Sequence, residues 1–305
     1  TKERFDHAAS REVGRNGTGV IVATYAAALE TFEVARDLGI HTVLHFVNSH
    51  PHAHNALLKM AGAPPDSIEY IPSPIAERVG AELGLADLVL VPSSFVARQL
   101  LDEGISSERL AIVRYGVDPV LFAPVPRQVV KRRTLKCLYV GQISWRKGIR
   151  VLVDAARMLD GFATFNLVGP LVSPEVLRGL PPNVVVRKTV SHAQLRDEYT
   201  RADVFVLPSI EDAFPLVTLE ALASGLPVVV SDGAGTSELI THGHDGFIVP
   251  SGSSASLADA LRELGDPHLR AQMGNAGRAL IAQAYSWNDY GSRVLATLDR
   301  LRLAA

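Results

Sequence analysis

Short β-branched runs alternate with stretches whose apolar positions recur at helical spacing, and the alternation starts twice. In the first half, residues 20–24 (VIVAT), 42–47, 88–92 (LVLVP) and 110–114 read as strands, with helices at 27–38 and 95–103. In the second half the predicted strands are 136–140, 162–168, 184–186, 204–207, 227–230 and 247–249. The predicted helices there are 148–159, 193–200, 215–223, 256–264, 269–284 and 288–303. Buried strand runs separated by amphipathic helices predict βαβ units on a parallel sheet. Six such strands make a complete doubly wound domain, and four do not.

Residues 118–134 (DPVLFAPVPRQVVKRRT) hold three prolines, a basic cluster and no period, which reads as a linker. The expected class is α/β with two Rossmann-like doubly wound domains, the first incomplete. The boundaries are 1–125, then 126–284, then a terminal helix over 285–305 that packs back toward the first domain. Residues 1–19 (TKERFDHAASREVGRNGTG) are polar, aperiodic and supply no strand. Without an initiator methionine, the chain is expected to be a fragment that lacks two or three βα units, with an uncovered sheet edge.

Composition narrows the function classes. The 305 residues are 47% hydrophobic, which excludes a disordered chain, and the net charge of −2 provides no bulk basic field for nucleic acid. The single cysteine, Cys137, excludes an intrachain disulfide. No apolar run approaches the ~18 residues of a membrane span, and no signal peptide is read. A cytoplasmic location is expected, extending to the inner face of the membrane. For the cluster Lys131-Arg132-Arg133 two readings stand: a solvated linker, or contact with phosphate or lipid headgroups. The sequon Asn16-Gly17-Thr18 carries no meaning here.

Candidate chemistry concentrates in two stretches. In 206–230 (VLPSIEDAFPLVTLEALASGLPVVV) a strand ends, a loop carries Ser209, Glu211 and Asp212, and a helix opens at Pro215 and stops at Gly225. Ligands of open α/β sheets bind beyond the carboxyl ends of strands, where this loop lies. The helix is apolar nearly all round except for Glu220, so that carboxylate is buried and needs partners. It either pairs with an arginine or backbone amides, or bridges a ribose diol. The free N–H groups of Leu216 and Val217 face either water or an anion. In 139–153 (YVGQISWRKGIRVLV) Arg146 and Lys147 lie between a strand and a helix, either as solvated loop cations or as holders of a diphosphate.

Together these motifs, G-x-x-x-x-x-K-G, then acid–x7–Glu with a Phe two residues after the acid, then G-x-P-V-V, resemble family 4 glycosyltransferases of the two-domain GT-B type. The segments 91–124, 231–252 and 285–298 extend the resemblance from about residue 87 to the end. It implies two Rossmann-like domains facing a cleft and transfer of a sugar from a nucleotide diphosphate to an acceptor hydroxyl with retention. The implied partners are a nucleotide sugar, a carbohydrate or lipid-linked acceptor and, peripherally, the membrane surface. No cofactor is implied beyond the donor substrate. Carried over, Lys147 meets the diphosphate, Glu220 the ribose, Asp212 the donor sugar and Val190 the base. Gly141, Gln142, Arg146, Phe214, Pro215, Leu216 and Val217 border the donor.

Two positions depart from the family. Asp212 stands where the first acid is usually Glu, with Glu211 beside it as a competitor for the role. Gln142 stands where the family has Arg, with Arg146 as a replacement cation. No D-x-D occurs, so no metal is expected on the diphosphate. Among His45, His50, His52 and His54, Pro51 argues against a strand that would align a metal site. Either these histidines form an exposed polar loop or, by the resemblance, His50 faces the donor sugar. Readings kept beside the transferase are a phosphorylase, an epimerase and a nucleotide-binding module without turnover.

Overall fold

A computed structural model describes residues 2–16, 19–124 and 134–303. They form two compact units, one of Thr1–Ala56, Tyr70–Arg114 and Tyr290–Ala305, the other of Leu57–Glu69 and Tyr115–Asp289. Most of the expected linker, with Lys131-Arg132-Arg133, lies outside the described residues, as do Gly17 and Thr18 of the sequon.

In the first unit, β1 (Val20–Thr24), β2 (His41–His45), β3 (Leu88–Val91) and β4 (Leu110–Ile112) form a parallel sheet in that order. These are the four strands expected. β3 is buried throughout because it lies inside the sheet, whereas β1 is at an edge and Val22 is 48% exposed. The helices α1 (Lys2–Asn16), α2 (Leu29–Asp37), α3 (Pro51–Met60), α4 (Ser73–Leu85) and α5 (Ser94–Asp102) connect or cover the strands. Residues 2–16, read as polar and aperiodic, supply no strand, as expected, but form the helix α1. Its buried residues are Asp6 and Ser10, not an apolar stripe, so no hydrophobic period announces it.

Asp6 accepts the N–H groups of Glu30 and Thr31, each at 2.9 Å, and so caps α2, whose own N-cap residue Ala28 offers no side chain for the task. Glu82 accepts the N–H groups of Ala26 (2.7 Å) and Ala28 (2.9 Å), which pins a turn where Ala26 has φ +59°. Arg78 pairs with both carboxylates.

The second unit holds β5 (Leu135–Val140), α6 (Ile149–Met158), β6 (Ala163–Val168), β7 (Val184–Arg187), α7 (His192–Arg201), β8 (Val204–Leu207), α8 (Leu216–Ala223), β9 (Val228–Ser231), β10 (Gly246–Val249), α9 (Ser254–Glu263) and α10 (Pro267–Ala284). Its six parallel strands run β10-β9-β8-β5-β6-β7. The chain winds outward from β5 through β7, then returns to β8 on the other side of β5. The point where strand order reverses therefore falls between β5 and β8, the position where such sheets bind ligands. Both strands sit in a continuous core that includes Leu138, Tyr139, Phe165, Tyr199 and Phe205.

The last helix, α11 (Trp287–Leu303), carries Tyr290, Val294, Leu298 and Leu301 at helical spacing, and they pack on Val43, Leu88, Leu90 and Val113 of the first unit. Among the described residues no helix is long and apolar enough to cross a membrane.

Candidate active site

The loops leaving β5 and β8 meet at the reversal point. β5 is followed by Gly141, whose N–H reaches the Val168 carbonyl at 3.0 Å. The following turn closes at Gly148, which has φ +67°. A Cβ at Gly148 would collide with the carbonyl of Pro208, just past β8. Conformation and close approach both demand glycine there, and together they bring the two loops into contact. The contact is then fixed by hydrogen bonds: Ile210 and Glu211 donate their N–H groups to the Arg146 carbonyl at 2.8 and 3.3 Å. The other loop edge is held by Asp212, whose N–H meets the Gly233 carbonyl at 2.9 Å and whose carbonyl accepts from Gly235 at 2.8 Å.

This geometry joins the charged residues expected to act together. Lys147 forms an ion pair with the Asp212 carboxylate, with side chains 12% and 10% exposed. Arg146 lies 3.6 Å from the Glu211 carboxylate and donates to the Glu211 carbonyl at 3.3 Å. It also donates to the side chain of Gln142 at 3.2 Å. Gln142 thus steers the cation and, through its carbonyl, accepts the Tyr139 hydroxyl at 2.6 Å. Burial works against both cations. At Arg146 the carboxylates of Asp212 and Glu211 more than offset it, and the pKa rises above its ordinary value. At Lys147 burial outweighs Asp212, and the ammonium's pKa falls. Burial pushes the Tyr139 phenol well up.

One acid here has no sequence signal. Glu69 accepts the N–H groups of Trp145 (2.9 Å) and Arg146 (3.0 Å) and the hydroxyl of Ser173 (2.5 Å). It fixes the loop that presents Arg146 and Lys147, from 76 positions away in the chain. Only the fold brings it there.

α8 supplies the remaining candidates. Pro215 is its N-cap with ψ 109°, so the helix begins at Leu216, one residue later than predicted. Leu216 and Val217 are half-buried at its first turn. Phe214 is buried edge-on against Tyr115, with ring centroids 5.5 Å apart. Val190, half-buried, packs on the core beyond β7. Glu220 is buried as its all-apolar helix predicts. The Tyr199 hydroxyl, on α7, donates to its carboxylate at 2.8 Å. Burial and then the Glu220 charge push the Tyr199 phenol well up.

His50 lies in the first unit. The reading of an exposed polar loop fails for it: His50 is 4% exposed, and Pro51 opens α3. Its Nδ1 lies 3.2 Å from Glu103, as does that of His52. Burial, the largest influence, holds the His50 pKa below its ordinary value, against the pull of Glu103.

Residues 134–266 match the family model described as Glycosyl transferases group 1. A D-inositol 3-phosphate glycosyltransferase of Pseudarthrobacter chlorophenolicus is 33% identical over 247 residues, covering 71% of this chain and 57% of the relative. One of that name from Kribbella flavida is 28% identical, covering 93% of this chain and 77% of the relative. The chain spans little more than half the length of the first curated relatives that it matches. Among solved structures, sucrose-phosphate synthase from Thermosynechococcus elongatus superposes with a TM-score of 0.78 at 23% identity, covering 99% of this chain and 78% of that one. Anabaena HepE in complex with UDP gives a TM-score of 0.79 at 18% identity, covering 97% and 82%. With its two parallel α/β sheets the chain has the GT-B fold, and its residues 134–266 match the group 1 glycosyltransferases.

Proposed function

We propose that the second unit binds a nucleotide diphosphate sugar and that the protein transfers the sugar to an acceptor hydroxyl with retention, without a metal on the diphosphate. The observation that carries this reading is the meeting of Arg146 and Lys147 with Glu211 and Asp212 at the reversal point between β5 and β8. Ligand binding beyond those strand ends is what the architecture favours. UDP in complex with a structural neighbour supports a uridine donor.

In this reading Lys147 and Arg146 hold the diphosphate, helped by the N–H groups of Leu216 and Val217. Glu220, oriented by Tyr199, accepts from the ribose hydroxyls, and Val190 packs against the base. Asp212 borders the donor sugar, and Glu211 holds Arg146. As the bond from the anomeric carbon to the diphosphate breaks, charge grows on the departing oxygen, and the two fixed cations stabilise it. The acceptor is a hydroxyl of a carbohydrate or of a lipid-linked glycan, losing its proton as the new bond forms.

The test is a panel of nucleotide sugars assayed by thermal shift and by release of nucleoside diphosphate. A bound donor at about 100 times its Kd adds ~2.7 kcal/mol of stability. Stabilisation by UDP-sugars, with slow release of UDP, is expected. A panel that leaves the melting temperature unmoved contradicts the reading.

A further inference from the structure

We propose that His50, His52 and Glu103 form a site for a divalent transition metal of the zinc class. The site lies wholly in the first unit and is independent of the donor reading. Each residue offers one ligand atom, and the three atoms lie within 4.8 Å of one another. Both histidines direct Nδ1 at the same carboxylate oxygen, Oε1 of Glu103, at 3.2 Å. A tetrahedron with metal–ligand bonds of about 2.1 Å has edges of about 3.4 Å, so these two spacings match neighbouring corners of one coordination sphere.

The bland alternative is a pair of ordinary histidine–glutamate contacts. It accounts for His52, which is exposed and hydrogen-bonded to Glu103. It accounts less well for His50, whose side chain is 5% exposed and whose Nδ1 lies 3.2 Å from the carboxylate without a well-aligned hydrogen bond. A buried ring nitrogen that faces both a carboxylate and a second imidazole, and is poorly aligned for either, has the placement of a ligand.

The backbone holds this arrangement without help from the carboxylate. Gln99, one turn before Glu103, accepts the His50 N–H at 2.9 Å and so ties α5 to the start of α3. Two imidazoles and a carboxylate suit zinc and its neighbours rather than magnesium or calcium. With Glu103 one-third exposed and His52 two-thirds exposed, the site opens to solvent on one side, leaving a coordination position for water or a substrate oxygen.

The test uses the whole chain, stripped with a chelator and titrated with Zn2+ alone against a chromogenic competitor. The expected result is one equivalent bound per chain. His52→Ala and Glu103→Gln, both at exposed side chains and so compatible with folding, should each weaken that site at least about tenfold, and the double variant should abolish it. His54→Ala, next to the cluster but outside it, should leave the affinity unchanged. Co2+ in the same site should show the visible absorption of a four-coordinate ion and lose it in the double variant. No equivalent bound, or an equivalent that survives in the double variant, overturns the proposal.

Discussion

Lys147 and Asp212, 65 positions apart, form a buried ion pair where the loops after β5 and β8 touch. The cation proposed to meet the diphosphate is therefore neutralised before ligand arrives, and the ligand must compete for it. Asp212→Asn removes the competitor, so affinity for UDP should rise by about 1 kcal/mol, roughly fivefold. Sugar transfer should fall in the same variant, because Asp212 is proposed to border the sugar. Calorimetry with UDP and a turnover assay separate the two effects. Unchanged UDP affinity would mean that the diphosphate does not draw on Lys147.

Gly148 is required by two independent constraints, a left-handed backbone and the Pro208 carbonyl. Gly148→Ala should cost about 2–4 kcal/mol, because relieving the collision means separating the loops. The urea midpoint reports it. A loss under ~1 kcal/mol would contradict the close approach of the two loops.

Tyr199→Phe deletes the hydroxyl that orients Glu220 and should lower affinity for UDP by about 1 kcal/mol. Glu220→Gln should lower it by about 1–3 kcal/mol. Neither change should touch affinity for pyrophosphate, which lacks the ribose. Equal losses for both ligands would make this pair structural rather than ribose-binding.

Asp6 caps a helix that begins 23 positions later in the sequence and is the buried partner of Arg78. Asp6→Ala uncovers two amides and leaves the guanidinium without one carboxylate. A stability loss of about 2–4 kcal/mol is expected, with faster hydrogen exchange at Glu30 and Thr31. Unaltered exchange there would show that α1 is not the cap of α2.

What the sequence reveals depends on whether burial is apolar and local. All six strands of the second unit are legible because each is a short, mostly apolar run with at least one face turned to the core, and its helices fall within a residue or two of their predicted bounds. α1 is not legible, because it docks through Asp6 and Ser10 and so carries no apolar period. α3 starts at Pro51, a residue that argues against a strand, and the polar His52, His54 and Asn55 in its first half leave no clear apolar period. Glu220 could be read as a buried carboxylate, but Tyr199 could not be read as its partner, since the contact is made between two helices. Glu69 is the extreme case: its role in holding Trp145 and Arg146 exists only in the folded chain.

Titration of UDP into the wild-type chain and into Lys147→Ala distinguishes a lysine that serves the donor diphosphate from one that only pairs with Asp212. One UDP per chain is predicted, weakened by about 2 kcal/mol or more in the variant, near thirtyfold, with uridine binding unaltered. Equal UDP affinity in the two proteins, with both folded, would mean that Lys147 does not meet the diphosphate.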